Sequence, residues 1–379
     1  MKIAIVCYPT FGGSGVVATE LGIALAKRGH EIHFVTYKQP VRLDYLTHNI
    51  HYHEVIVPEY PLFHYQPYEL ALSSKLVTVI KKFQIEILHV HYAIPHAYAG
   101  FMAQQMLEEE GISIPMMTTL HGTDITLVGS HSFYKPAVNF SINKSDMVTS
   151  VSESLKDDTL QIFNINKEIH VVPNFIDMQN LQKDFENCKR HLMANEDEKI
   201  IVHVSNLRQV KRIDHVIEIF NKVQQKLKVK LLIIGDGPER ENASKLAHEL
   251  GIRERIIFLG KSNEIERILC FSDLFLLPSE KESFGLAALE AMAHGVPVIS
   301  SNAGGLPEVI TNGKSGFLCD VGDVDAMAKH AISILSDDAK LAAMKLEAEK
   351  QAWKFDIAEI VPMYENLYNK MKLWGTVTN

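Results

Sequence analysis

Glu282 and Glu290 stand eight positions apart around Ser283-Phe284-Gly285-Leu286. The pattern sets one carboxylate just outside the N-terminus of a helix and the other inside that helix. Free backbone N–H groups from Ser283 through Leu286 can cradle a phosphate or a sugar hydroxyl. Glu282 is then placed to accept hydrogen bonds from a sugar, and Glu290 from both hydroxyls of a ribose. A second anion cradle is offered by Gly12-Gly13-Ser14-Gly15, where Gly13, Ser14 and Gly15 open a helix directly after the first strand. Pro9 to Gly15, with Phe11 inside it, is not the GxGxxG dinucleotide fingerprint. No acidic residue closes the second strand at Phe34 to Tyr37, so a nicotinamide dinucleotide fits poorly. Taken singly, each feature has an ordinary structural explanation: a glycine turn, a capping carboxylate, an exposed helix residue. The chemistry rests on their combination.

Histidines invite a metal reading. Twelve of the eighteen lie before residue 172, with His48, His51 and His53 clustered and His89 and His91 on one strand face. No carboxylate or cysteine pattern completes a site by spacing, so no metal and no cofactor are expected. Asp323-Val324-Asp325 stands where a helix begins and reads as an N-cap with a first-turn acid. His121 follows a strand directly, in front of Gly122 and Thr123.

These residues need a scaffold of strand ends. Apolar runs at 2–7, 32–36, 87–91, 116–120, 147–151 and 170–172 alternate with helical patterns at 15–28, 70–83, 98–109 and 133–143. Alternation of this kind specifies a parallel sheet covered on both faces. Val172-Pro173-Asn174 ends the series, and the polar stretch 178–199 reads as a linker with a short helix. A second series follows, with strands at 200–204, 230–234, 256–259, 274–277, 298–300 and 316–318. Its helices fall at 213–226, 240–250, 265–271, 286–293 and 324–335. The expected fold is α/β: an N-terminal domain over 1–172, a C-terminal domain over 173–351, and a terminal helix from 352 returning to the first. Ligands in such folds lie outside the carboxyl ends of the strands.

Composition narrows the class. The 379 residues are 46% hydrophobic and 22% charged, and no apolar run approaches the length of a membrane span. A formal net charge of −8 disfavours nucleic acid. Residues 1–172 hold 12 Lys plus Arg against 16 Asp plus Glu, which disfavours a polybasic membrane face and favours a small acceptor. Cys7, Cys188, Cys270 and Cys319 are scattered, as suits structural thiols in a reducing cytoplasm, and no secretion signal is visible. Homo-oligomerisation stays open.

Several motifs together resemble the retaining glycosyltransferases of the two-domain GT-B fold, of the family 4 type. They are Gly12-Gly13, Leu120-His121-Gly122-Thr123-Asp124, Val172-Pro173-Asn174, Lys211, Gly235-Asp236-Gly237-Pro238-Glu239, the Glu282 to Glu290 element, and Gly304-Gly305-Leu306-Pro307-Glu308 with Gly316-Phe317. The resemblance covers nearly the whole chain. It implies two Rossmann-like doubly wound domains facing across a cleft, with the UDP-sugar on the C-terminal domain and the acceptor on the N-terminal one. It implies that Glu282 contacts the transferred sugar, Glu290 the ribose and Lys211 the diphosphate. His121 would lie near the sugar, its carbonyl stabilising positive charge at the anomeric carbon. One departure stands out: the family's arginine five residues before the lysine is Asn206 here, and Arg208 is expected to take its place at the diphosphate.

The resemblance is closest to members that transfer N-acetylglucosamine from UDP-GlcNAc to L-malate at the start of bacillithiol biosynthesis. It is carried by Cys7-Tyr8-Pro9 leading into 12–22, His89 to Ala97, Thr118 to Thr126, Val204 to Arg208 and Ser279 to Gly285. Malate is a small dianion with a hydroxyl nucleophile. Ser14, Tyr92 and Thr119 are candidate hydrogen-bonding groups for it, and Lys144 a candidate cation. Three rivals stay open: another acceptor such as inositol phosphate, a UDP-GlcNAc epimerase, and a non-catalytic nucleotide-sugar sensor.

Overall fold

The computed structural model describes residues 1–10, 12–43, 47–59, 66–181, 189–262 and 264–377, with side chains to residue 373. Phe11, Cys188 and the middle of the expected linker lie outside the described residues. The chain divides into two compact units, Met1–Phe175 with Ile357–Asn379, and Ile176–Asp356.

In the first unit the order is β1 (Lys2–Val6), α1 (Gly13–Lys27), β2 (Glu31–Thr36), β3 (Ile50–Glu54), α2 (Tyr68–Phe83), β4 (Ile87–His91), α3 (Tyr98–Glu108), β5 (Met116–Leu120), α4 (Lys135–Lys144), β6 (Met147–Ser150), α5 (Glu153–Ile162) and β7 (Ile169–Val171). The second unit has β8 (Lys199–Val204), α6 (Ile213–Gln224), β9 (Val229–Ile234), α7 (Arg240–Glu249), β10 (Ile256–Gly260), α8 (Ile265–Cys270), β11 (Leu274–Leu277), α9 (Leu286–Ala293), β12 (Val298–Ser301), α10 (Leu306–Val309), β13 (Gly316–Cys319), α11 (Val324–Leu335) and α12 (Asp338–Ala352). The last helix, α13 (Ile357–Val377), belongs to the first unit and lies against α1.

Both sheets are parallel throughout. Their orders are β3-β2-β1-β4-β5-β6-β7 and β10-β9-β8-β11-β12-β13. Each is doubly wound, and in each the first strand lies inside the sheet, so successive connections leave it in opposite directions. Strands β4, β5, β6, β11 and β12 are buried along their whole length, because helices cover both faces.

Four elements went unread in the sequence, among them the single-turn helix α10, which the sequence shows only as part of the Gly304 to Glu308 motif. Strand β3 is an edge strand of IHYHE, half-exposed and without apolar alternation. Helix α5 buries only Leu155 and Thr159 and is started by Ser152, whose hydroxyl accepts from Leu155 N–H. Helix α12 is mostly polar, with Leu341, Met344, Ala348 and Ala352 as its buried stripe. Asp323 caps α11 through Ala326 N–H, with Asp325 in the first turn. Among the described residues no helix is long and apolar enough to cross a membrane.

Helix α13 is anchored by Tyr364, Tyr368 and Met371, each 1% exposed or less. Burial of each contributes about 2 kcal/mol. The phenols need partners there. Tyr368 hydrogen-bonds His89 Nδ1 at 2.7 Å, and Tyr364 hydrogen-bonds Thr119 and Thr149. The buried histidines are held neutral. Burial pushes His89 down to about 3, and His96 and His203 to about 4. In the unfolded chain they regain their ordinary value of 6.5, so between pH 6.5 and about 4 the unfolded state binds more protons. Their stabilising contribution is complete above pH 6.5 and falls as pH drops, by roughly 1 kcal/mol per pH unit for each histidine. The thermal unfolding midpoint is therefore expected several °C lower at pH 5 than at pH 7.5. A flat profile across that window, measured by circular dichroism, would show that these histidines bind protons equally in both states.

Candidate active site

A sheet whose first strand is internal opens a crevice at that strand's carboxyl end, because the loops on either side run away from one another. In the first unit this switch point lies between β1 and β4. The loop after β1 runs into α1, whose first turn contains no acidic residue. A Cβ at Gly15 would lie 2.4 Å from the Tyr8 carbonyl oxygen and 2.6 Å from that of Thr10, so only glycine lets the turn close. Gly12 and Gly13 are exposed and Ser14 half-buried, which leaves the helix N-terminus open to an anion.

Ser14 Oγ and the Tyr92 hydroxyl lie 2.6 Å apart, joining the loop after β1 to the end of β4. Burial raises the Tyr92 phenol above its ordinary value, against the Ser14 hydrogen bond, so Tyr92 is a neutral donor or acceptor. Tyr8 meets Tyr92 edge-on at 5.1 Å, and the Tyr92 ring lies 5.1 Å from that of His121. His121 Nε2 is 2.8 Å from His91 Nδ1. Both rings have lost basicity through burial, with neighbouring histidines adding to the fall, so neither is an imidazolium at neutral pH.

Asp124 organises this end of the sheet. Its buried carboxylate accepts from Ala93 N–H at 2.9 Å on one oxygen, and from Gly122 N–H at 2.9 Å and His121 N–H at 3.2 Å on the other. The turns after β4 and β5 are thereby tied together. Burial raises the Asp124 pKa, opposed by these backbone hydrogen bonds. Its motif was visible in the sequence, but its role was not, because nothing in the spacing says that an acid will face backbone donors from two separate turns.

Two of the four candidate acceptor residues are corrected by their position. Thr119 is fully buried, its hydroxyl within 2.8 Å of His89 Nε2 and 2.7 Å of the Thr149 hydroxyl, so it serves the interior beneath α13. Lys144 ends α4, the helix leading into β6, and so lies at the amino edge of the sheet, opposite the switch point. Its ammonium sits over Phe101 and Phe140 at 5.6 and 5.8 Å.

In the second unit the switch point lies between β8 and β11. His203, on β8 and fully buried, spans Leu276 O at 2.8 Å and Ser205 Oγ at 2.8 Å, and Ser205 Oγ in turn accepts from Leu207 N–H at 3.2 Å. A neutral His203 donating from Nδ1 and accepting at Nε2 completes that chain. It fixes the loop carrying Asn206, Arg208 and Lys211. Lys211 Nζ donates to Glu282 Oε1 at 2.6 Å, and Ser279 Oγ donates to the same oxygen at 2.9 Å. Asn206 and Arg208 are exposed, and among the described residues the Arg208 guanidinium has no ion-pair partner.

Gly304 and Gly305 press the loop after β12 onto Glu282 and Ser283. A Cβ at Gly304 would stand 1.9 Å from the Glu282 carbonyl oxygen, and Gly305 N–H donates to that oxygen at 2.9 Å. The backbone of 282–285 is thereby held in place ahead of α9. Phe284 is buried, its ring edge-on to Phe355 at 5.6 Å, so it offers a ligand only its backbone. Gly285 takes φ 97° at the N-cap, turning Leu286 into the first helical position, and Glu290 follows half-buried in α9. The unit therefore collects a carboxylate in an ion pair, one unpaired guanidinium and a helix N-terminus, a set suited to a charged diphosphate beside a hydroxylated sugar.

Residues 11–180 match the family described as "Glycosyltransferase Family 4", and residues 184–351 match "Glycosyl transferases group 1". The chain is 47% identical over 370 residues, 97% of its length and 96% of the relative's, to the N-acetyl-alpha-D-glucosaminyl L-malate synthase of Bacillus anthracis. It is 27% identical to an uncharacterized glycosyltransferase of Methanocaldococcus jannaschii, over 96% of this chain and 98% of that one. Among solved structures, Anabaena HepE in complex with UDP and glucose superposes with a TM-score of 0.82 at 20% identity, covering 97% of this chain and 99% of that one.

Replacing Asp124 by Asn keeps an acceptor for one turn and sets an amide N–H against the donors of the other. The expected cost is about 2 kcal/mol of stability, together with loss of activity in the folded fraction. Unchanged unfolding and turnover in Asp124→Asn would remove Asp124 as the organiser of the β4 and β5 turns.

Proposed function

The chain belongs to the family 4 and group 1 glycosyltransferases of GT-B type, and from that premise we propose that it transfers N-acetylglucosamine from UDP-GlcNAc to the hydroxyl of L-malate with retention. The observation that carries the donor sugar and acceptor is the 47% identity over 97% of the chain to a relative of that name. The geometry of the two switch points supports the reading.

In this proposal the second unit holds the nucleotide sugar. Backbone N–H groups from Ser283 to Leu286 and the cations Lys211 and Arg208 take the diphosphate, and Glu290 takes the ribose hydroxyls. Glu282, oriented by Lys211 and Ser279, accepts hydrogen bonds from the sugar. The bond from C1 to the diphosphate oxygen breaks with its electron pair staying on that oxygen. The malate hydroxyl oxygen bonds C1 from the same face, and its proton passes to the departing phosphate oxygen, so no separate protein base is needed. His121, neutral in this environment, contributes its backbone carbonyl beside the developing positive charge. Ser14 and Tyr92 offer hydroxyls to malate, and the open N-terminus of α1, with Gly13, Ser14 and Gly15, offers N–H groups to an anion. Metal has no part in this step.

The test is UDP release from UDP-GlcNAc in EDTA with L-malate, inositol phosphate or no acceptor, and proton NMR of the product. Release that requires malate and gives an α-linked product supports the proposal. Release only with inositol phosphate replaces the acceptor, a β-linked product refutes retention, and interconversion of the sugar without transfer points to an epimerase. Glu282→Gln is expected to lower kcat about a hundredfold. Lys211→Ala and Arg208→Ala are each expected to weaken UDP-sugar binding about tenfold. Wild-type constants in Arg208→Ala would mean that Lys211 and the backbone hold the diphosphate without it.

A further inference from the structure

The sequence offered His51 and His53 with no carboxylate to complete a metal site. The parallel register of β2 and β3 supplies one. It sets His33 beside His51, and Glu31, two residues before His33, points its carboxylate to the same place. Glu31 Oε1 lies 3.0 Å from His33 Nε2 and 3.6 Å from His51 Nε2, and the three ligand atoms lie within 4.8 Å of one another. We propose that Glu31, His33 and His51 form a binding site for a zinc-class divalent transition-metal ion that clasps the edge strand β3 to β2.

The distances match the chemistry. A tetrahedral ion with bonds of 2.0–2.2 Å holds its ligand atoms about 3.3 Å apart, between the two separations seen here. Two imidazoles and one carboxylate are a set that borderline divalent ions favour. His33 has an oriented second partner: its Nδ1 lies 2.9 Å from His53 Nε2, and its ring stacks on that of His53. Such a contact fixes the ring and tautomer of a ligating histidine. The other oxygen, Glu31 Oε2, faces Lys2 Nζ at 3.7 Å, which leaves Oε1 directed at the imidazoles. The His33 side chain is fully buried, while those of His51 and Glu31 are 45% and 32% exposed, so the ion has a route in and room for water as a further ligand.

The site stands apart from the transfer chemistry. Glu31 begins β2 and His51 is the second residue of β3, whereas the sugar-transfer loops leave the carboxyl ends of their strands. The site's effect is mechanical: β3 ends the sheet order, its one ladder among the described residues runs along β2, and a metal bond adds a second tie across that same pair.

The experiment is calorimetric titration of ZnCl2 into the untagged, EDTA-stripped full chain, with Co2+ absorption spectroscopy in parallel. The expected result is one saturable equivalent, tetrahedral Co2+ bands, and an unfolding midpoint raised by several °C. His51→Ala and Glu31→Gln, at partly exposed positions, should each weaken binding about tenfold or more while leaving glycosyl transfer at its wild-type rate. No saturable binding, or binding unchanged in both variants, overturns the proposal.

Discussion

A parallel sheet whose first strand lies inside it cannot close its carboxyl end at that strand. This constraint operates twice in the molecule. It opens the gap between β1 and β4 and again between β8 and β11, and the residues assigned to chemistry leave the carboxyl ends of these strands and of β5 beside β4. The fold thereby sets the position, and the loops must then be held still enough to use it. Each unit does so with a buried polar group that faces backbone. Asp124 ties together the turns after β4 and β5, and His203 joins the loop after β8 to β11.

The second unit adds contacts that leave no room for a side chain. Gly304 lies so close to the Glu282 carbonyl that the segment ahead of α9 is fixed by backbone against backbone. Lys211 then meets Glu282 from the neighbouring loop, and the two charges orient one another. In the first unit the corresponding restraint is softer. Ser14 and Tyr92 share one hydrogen bond, in an aromatic surround of Tyr8 and His121. A rigid nest suits a diphosphate whose charge must be met without reorganisation, and hydroxyls suit a small acceptor whose own hydroxyl must approach.

Much of this was legible in the sequence. Buried strands in a doubly wound sheet are short, mainly apolar runs, so β4, β5 and β11 could be read to the residue, with the His121-Gly122 and Glu282 motifs following β5 and β11. Strand β3 was missed because an edge strand of alternating histidines carries no apolar signal, and α5 and α12 because each buries so little. Within the sites, the failures were of direction. Thr119 has the right chemistry near a strand end but turns inward to His89, and Lys144 ends a helix at the opposite edge of the sheet. Asp124 was quoted as part of a motif and given no role, because its partners are backbone groups from two turns that only the fold brings together. The carboxylate of Glu31 was invisible beside the histidines for the same reason: twenty residues separate it from His51, and strand register brings them together.

The central claim is that the loops at the β8 and β11 ends hold the nucleotide. Hydrogen exchange of the whole chain with and without UDP, in EDTA, tests it most directly. Slowed exchange over 205–211 and 282–290, with β2 and β3 unchanged, is the predicted result. Saturating UDP that leaves 282–290 exchanging as before would contradict the account.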